Sequence, residues 1–163
     1  MRMSEGVEWG LHCAALLGFL PPGAGLSTAR LAEYHEVPPA YLAKHLQAMS
    51  RAGILEAAQG PRGGYRLARC PAEITVLEVV EAVDGPTPGF RCAEIRRRGP
   101  AGGLPLREYR VPCAIHAVMD AADAAWRAEL RATSLADVIS RVVGGASPKS
   151  LERGARWVQE VLA

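Results

Sequence analysis

Between residues 4 and 20 apolar side chains return at helical spacing (Val7, Leu11, Ala14, Gly18). Glu5, Glu8 and His12 share a polar stripe, and Pro21-Pro22-Gly23 ends the run. Ser27 is a good N-cap for a second helix reaching His35. Val37 and Pro38-Pro39 make a turn, with Pro39 suited to the first turn of a third helix. That helix carries Tyr41, Leu42, His45, Leu46 and Met49 and ends at Ala52-Gly53. The pattern then shortens: residues 54–58 and 65–68 read as strands around the turn-rich stretch from Gln59 to Gly64. Residues 75–83 predict a short helix, and 86–112 are too rich in proline and glycine for a regular element. Long ordered loops of this kind usually carry function. Three further helices are expected: an Ala-rich one from Cys113 to Leu130, one from Ser134 to Val143, and, after a break at Gly144-Gly145, one from about Pro148 to Leu162.

Helix, turn, helix, glycine and then a glycine-rich hairpin is the order of a winged helix-turn-helix. The predicted fold is therefore mainly α with a small β-hairpin wing. Its expected divisions are a DNA-binding domain over 1–84, a loop over 85–112, dimerisation helices over 113–143 and a C-terminal helix over 144–163. A chain of 163 residues suits one small domain with such an extension. Aromatic residues make up only 6%, so a core of Ala, Leu and Val calls for closely packed helices.

A net charge of +2 identifies no partner, so a DNA-binding surface must come from local clustering. Residues 27–69 supply it, with six basic against three acidic residues. In a winged helix-turn-helix the second paired helix enters the major groove while the wing reaches phosphate or the minor groove. The expected contacts to double-stranded DNA are Ser27, Tyr41, Lys44, His45, Gln47, Arg62, Gly63 and Tyr65, with Arg62 at the wing tip.

Leu42-Ala43-Lys44-His45-Leu46-Gln47, Ala52-Gly53-Ile54-Leu55, the G-x-x-G-G-Y wing at 60–65 and the run from Ile74 to Val80 resemble the IscR/NsrR family of iron–sulfur transcription regulators. The likeness covers about residues 1–143. It implies a homodimer held by the long helix, binding inverted-repeat operators, often as a repressor.

Four cysteines in a chain without a convincing secretory signal are expected to be thiols or metal ligands. Cys92 and Cys113 flank the irregular loop, and a thiol at the start of a helix is biased toward thiolate. Cys13 reads as core, although it neighbours His12, and Cys70 as a surface or half-buried thiol. Glu8 and His12 are four apart on one helix face, which suits both a solvated stripe and a ligand pair. Cluster-binding relatives usually carry three cysteines in the loop segment, where this chain has two. The stretches 7–13 and 90–100 resemble the RsrR-type redox-sensing branch of the family. That resemblance implies a [2Fe–2S] cluster on Cys92, Cys113, His12 and Glu8, with the Glu/His pair and the cysteines coming from different subunits. A [4Fe–4S] sensor of nitric oxide or iron supply, and a structural zinc on Cys92, Cys113 and His12, are the alternatives.

No P-loop, nucleotide-binding glycine pattern or catalytic-triad spacing occurs, so an enzyme is not expected. No run of 18 apolar residues occurs either, and the chain reads as cytoplasmic, without a membrane partner.

Overall fold

Residues 3–58, 63–100 and 102–163 are described by a computed structural model. Along them run α1 (Glu5–Gly18), α2 (Thr28–His35), α3 (Pro39–Arg51), β1 (Leu55–Ala58), β2 (Gly64–Leu67), α4 (Val76–Asp84), α5 (Ala114–Ala132), α6 (Leu135–Gly145) and α7 (Pro148–Leu162). Short 3-10 turns at Ile95–Arg97 and Leu106–Glu108 punctuate the long loop. The winged helix-turn-helix architecture is thus present.

The core forms where α1 crosses the helix-turn-helix. Cys13, Ala14, Leu16 and Leu17 of α1 are buried with Leu31 of α2 and with Leu42, Leu46 and Met49 of α3. Each fully buried leucine contributes about 1.5–3 kcal/mol of transfer free energy. Ser27 caps α2 by accepting a hydrogen bond from the Arg30 N–H at 3.3 Å. The chain leaves α2 through Glu36, whose left-handed φ of 52° turns it toward Pro38.

β1 and β2 pair antiparallel, with Leu55 opposite Leu67 and Ala58 opposite Gly64. Leu26 extends this ladder, exchanging backbone hydrogen bonds with Tyr65 at 2.8 and 3.0 Å. Gly64 makes the approach possible, because a Cβ there would lie 2.4 Å from the Leu26 carbonyl. The base of the wing is thereby fixed to the start of α2.

α4 and α6 begin side by side. Thr75 and Ser134 each close a capping box, and Val76 and Leu135 donate backbone hydrogen bonds across to Thr133 and Ile74. The C-terminal half of α5 is anchored here. Trp126 and Leu130 pack on Val7, Val76 and Val80, and Arg127 ion-pairs with Asp123 at 2.6 Å and with Glu81.

The expected break at Gly144-Gly145 falls later. α6 runs through both glycines and stops at Ala146, and Ser147 then caps α7. Helical hydrogen bonding carries the glycines, whereas the serine cap and Pro148 begin a new helix. α7 lays Trp157, Val158, Val161 and Leu162 on the main core.

Candidate DNA interface and sensor site

On α3 the buried positions are Leu42, His45, Leu46 and Met49, which form one stripe at helical spacing. Lys44 and Gln47 fall on the opposite, exposed face, and Tyr41 is exposed at the edge of the stripe beside His45. His45 therefore departs from the expectation that it faces DNA. Its side chain is 6% exposed and lies beneath α1, in edge contact with the rings of Trp9 and Tyr41. Burial first, and then the charge of Lys44, hold its imidazole below the usual histidine range, against a smaller opposing effect of Asp84.

Ser27 is exposed at the N-terminus of α2, where unpaired N–H groups suit a phosphate. Gly63 and Arg30 lie beside it in a shared groove. Tyr65 is half-buried against the core, and its backbone is engaged by Leu26. Arg62 and the rest of the wing tip lie outside the described residues.

The loop brings two thiols together. Cys113 is the N-cap residue of α5. Its sulfur accepts the N–H of His116, the N–H of Ile115 and the Cys92 thiol; with nearby Arg96, these outweigh desolvation and lower its pKa. The Cys92 sulfur accepts the Glu94 N–H at 3.4 Å. Arg96 ties the assembly, bonding Glu94 at 2.8 Å and the Val111 carbonyl at 2.9 Å while its guanidinium lies over the Tyr109 ring. Arg96, Glu94 and Tyr109 were not singled out in the sequence. The arginine run at 96–98 was the available sign, but only folding shows which arginine turns inward.

Glu8 and His12 stand on the exposed stripe of α1. They line one side of an apolar groove of about 360 Å³, whose other walls include Val76, Val80, Leu130 and Val138. Among the described residues no group of three or more His, Cys, Asp or Glu side chains converges as a metal site. Within one chain, then, the four candidate ligands form two pairs. Cys13 is fully buried and its thiol is pushed up to about 12 by desolvation, which suits it to the core. Cys70 is exposed.

The surface of α5 is unusual for a 19-residue helix, as no residue of it is buried. Ile115 and Val118 are 67% and 68% exposed, and Met119 lies beside them. No helix among the described residues is long and apolar enough to cross a membrane.

Residues 3–141 match the Rrf2 family, described as iron-dependent transcriptional regulators. The chain is 30% identical over 142 residues to YwgB of Bacillus subtilis, named as an HTH-type transcriptional regulator, covering 87% of this chain and 86% of that one. It is 33% identical over 150 residues to Rv1287 of Mycobacterium tuberculosis, named in the same way, covering 91% and 85%. Among solved structures it resembles T. potens IscR, with TM-score 0.68 at 17% identity over 93% of this chain and 96% of that one. It also resembles CymR, the global cysteine regulator of B. subtilis, with TM-score 0.63 at 23% identity over 86% and 98%. The chain belongs to the Rrf2 family and is a DNA-binding transcription regulator rather than an enzyme.

Proposed function

We propose that this regulator acts in the cytoplasm as a homodimeric repressor. In this reading it binds an inverted-repeat operator, and a [2Fe–2S] cluster on Cys92, Cys113, Glu8 and His12 sets its operator affinity. The observation that carries the proposal is the separation of two half-sites. A thiol pair sits at the head of α5, a helix with a bare apolar face, and a carboxylate–imidazole pair sits beside an apolar groove on α1. Pairing two chains through α5 would cover the bare face and complete each cluster site from both subunits.

The donors suit such a group. Cys113 is biased toward thiolate, the form that ligates iron. When bound, the cluster supplies one-electron redox chemistry, and imidazole ligation raises its potential above that of an all-cysteine site. The chain's own contribution is positional, since α1 packs directly on α3. A change at Glu8 or His12 can therefore alter how the two recognition helices are spaced across half-sites about one helical turn, or a multiple, apart.

A mixed-chain experiment tests this reading. One chain carries Cys92→Ala and Cys113→Ala, and the other Glu8→Ala and His12→Ala. Their heterodimer retains one complete site, so anaerobic preparation should give one cluster per heterodimer by iron and sulfide analysis and by EPR after reduction. Absence of a cluster from the heterodimer, with full occupancy in the unmutated protein, contradicts the shared site. Colourless unmutated protein containing zinc, or four irons per site, contradicts the [2Fe–2S] assignment.

A further inference from the structure

α7 lies outside the family match, which ends at residue 141, yet it supplies one wall of an open-sided pocket on the family portion. Between it, α1 and α6 is a cavity of about 470 Å³. Its apolar walls include Leu16 of α1, Phe19 just after that helix, Val142 of α6, and Leu151, Ala155 and Val158 of α7. The polar lining groups are Tyr34, Ser150 and Gln159, and among the described residues no charged side chain lines the space.

The cavity follows from the sequence of α7. Its large apolar residues Trp157, Val158, Val161 and Leu162 reach the main core. Gly154 and Ala155, one turn earlier, are too small to fill the adjoining space. At Gly154 the absent side chain matters directly, since a Cβ there would lie 2.9 Å from the Tyr34 hydroxyl. Tyr34 is held there by an edge-on contact with Trp157, ring centroids 4.8 Å apart. It belongs to α2, the first helix of the DNA-binding pair.

We propose that this cavity binds a neutral, mainly apolar small molecule carrying one hydroxyl-type group, which Tyr34 hydrogen-bonds. The volume lies within the usual range of small-molecule sites, and apolar walls with a few polar groups are their usual composition. The uncharged lining disfavours an ionic ligand, whose desolvation would go uncompensated. The pocket is open on one side, with Phe19, Tyr34 and Val142 partly exposed on its walls, so a compact molecule would keep one face in water. The site uses no cluster ligand, so it stands or falls independently of the [2Fe–2S] reading.

The probes are 2-naphthol and naphthalene, titrated calorimetrically into the full-length protein. Both should bind saturably at one per chain, and Ala155→Phe should weaken both at least about tenfold by filling the space. Tyr34→Phe should weaken 2-naphthol by about 2–10-fold, the worth of one neutral hydrogen bond, and leave naphthalene within about twofold. Circular dichroism checks the fold of each variant, and Ala146→Phe, which enters at the α6–α7 junction, replaces Ala155→Phe if that chain unfolds. No saturable binding overturns the proposal. So does binding that survives the cavity-filling variants but is lost in Val118→Glu, because that result puts the probes on the α5 face. Equal effects of Tyr34→Phe on both probes would remove the hydroxyl-selective part.

Discussion

The imidazole of His45 lies so close to the backbone of Gly6 that a Cβ placed on the glycine would sit 2.3 Å from Cε1. α1 and α3 meet at this point, and the absent side chain sets how closely. Gly6→Ala should therefore destabilise the fold, although alanine is the better helix former by about 1 kcal/mol. Overpacking of a filled core costs about 1–3 kcal/mol, and a buried ring in edge contact with Trp9 and Tyr41 has little room to retreat. Gly10→Ala is the control. Its nearest neighbour would be the Met49 sulfur at 3.1 Å, on a flexible side chain. Urea unfolding should show a clear loss for Gly6→Ala and a small change of either sign for Gly10→Ala.

Stability should fall as the solution is acidified below the ordinary histidine pKa. Burial and Lys44 lower the pKa of His45, while burial and His12 lower that of His35. The unfolded chain takes up these protons near about pH 6.5, and the native chain only at lower pH. The native advantage is therefore whole above that pH and shrinks as pH falls toward the folded pKa values. Thermal melts at about pH 7.5 and about pH 5.5 bracket the window. The fall in Tm should be smaller in His45→Gln, with the contribution of His35 remaining. An unchanged fall would mean that His45 does not titrate in this way.

The exposed face of α3 makes a different prediction. Gln47→Ala should cost about 1–3 kcal/mol on the preferred operator and little on unrelated DNA, the mark of a base-edge contact. If Lys44 meets only phosphate, Lys44→Ala should weaken all sequences alike and reduce the salt slope by about one. Gel-shift titrations at several salt concentrations separate the two patterns. Changes at His45 should act through stability, because its side chain is covered.

The bare face of α5 should carry self-association. Val118→Glu should shift the protein toward monomer in light scattering and weaken operator binding by far more than any single α3 contact, since both half-sites are then bound independently. Its melting temperature at low concentration should change little, because Val118 has little intrachain burial to lose. A dimer unaffected by the glutamate would direct attention to another face.

Hydrophobic period, caps and turn residues make the helices, the turn and the hairpin legible in the sequence. The α2–α3 unit is the clearest case. A serine cap, a proline start and the Leu42–Leu46–Met49 stripe are local signals, and local hydrogen bonding acts on them directly. Gly144-Gly145 does not end α6, because glycine weakens a helix without stopping one, and the cap at Ser147 determines where α7 begins.

What the sequence determined by itself was the order of elements, and with it the DNA-binding class. It also isolated Cys92, Cys113, Glu8 and His12 as chemically able residues. It could not say which of them meet, since convergence depends on long-range packing that no local period encodes. Tertiary structure brought the Cys92 and Cys113 thiols together, with Arg96 nearby, and kept Glu8 and His12 apart on α1. It turned His45 inward, although a helix stripe alone does not say which flank another helix will cover. It also placed α7 across α1 and α6, where small residues in contact with large ones leave a cavity. Composition records both kinds of residue, but only their apposition creates the space.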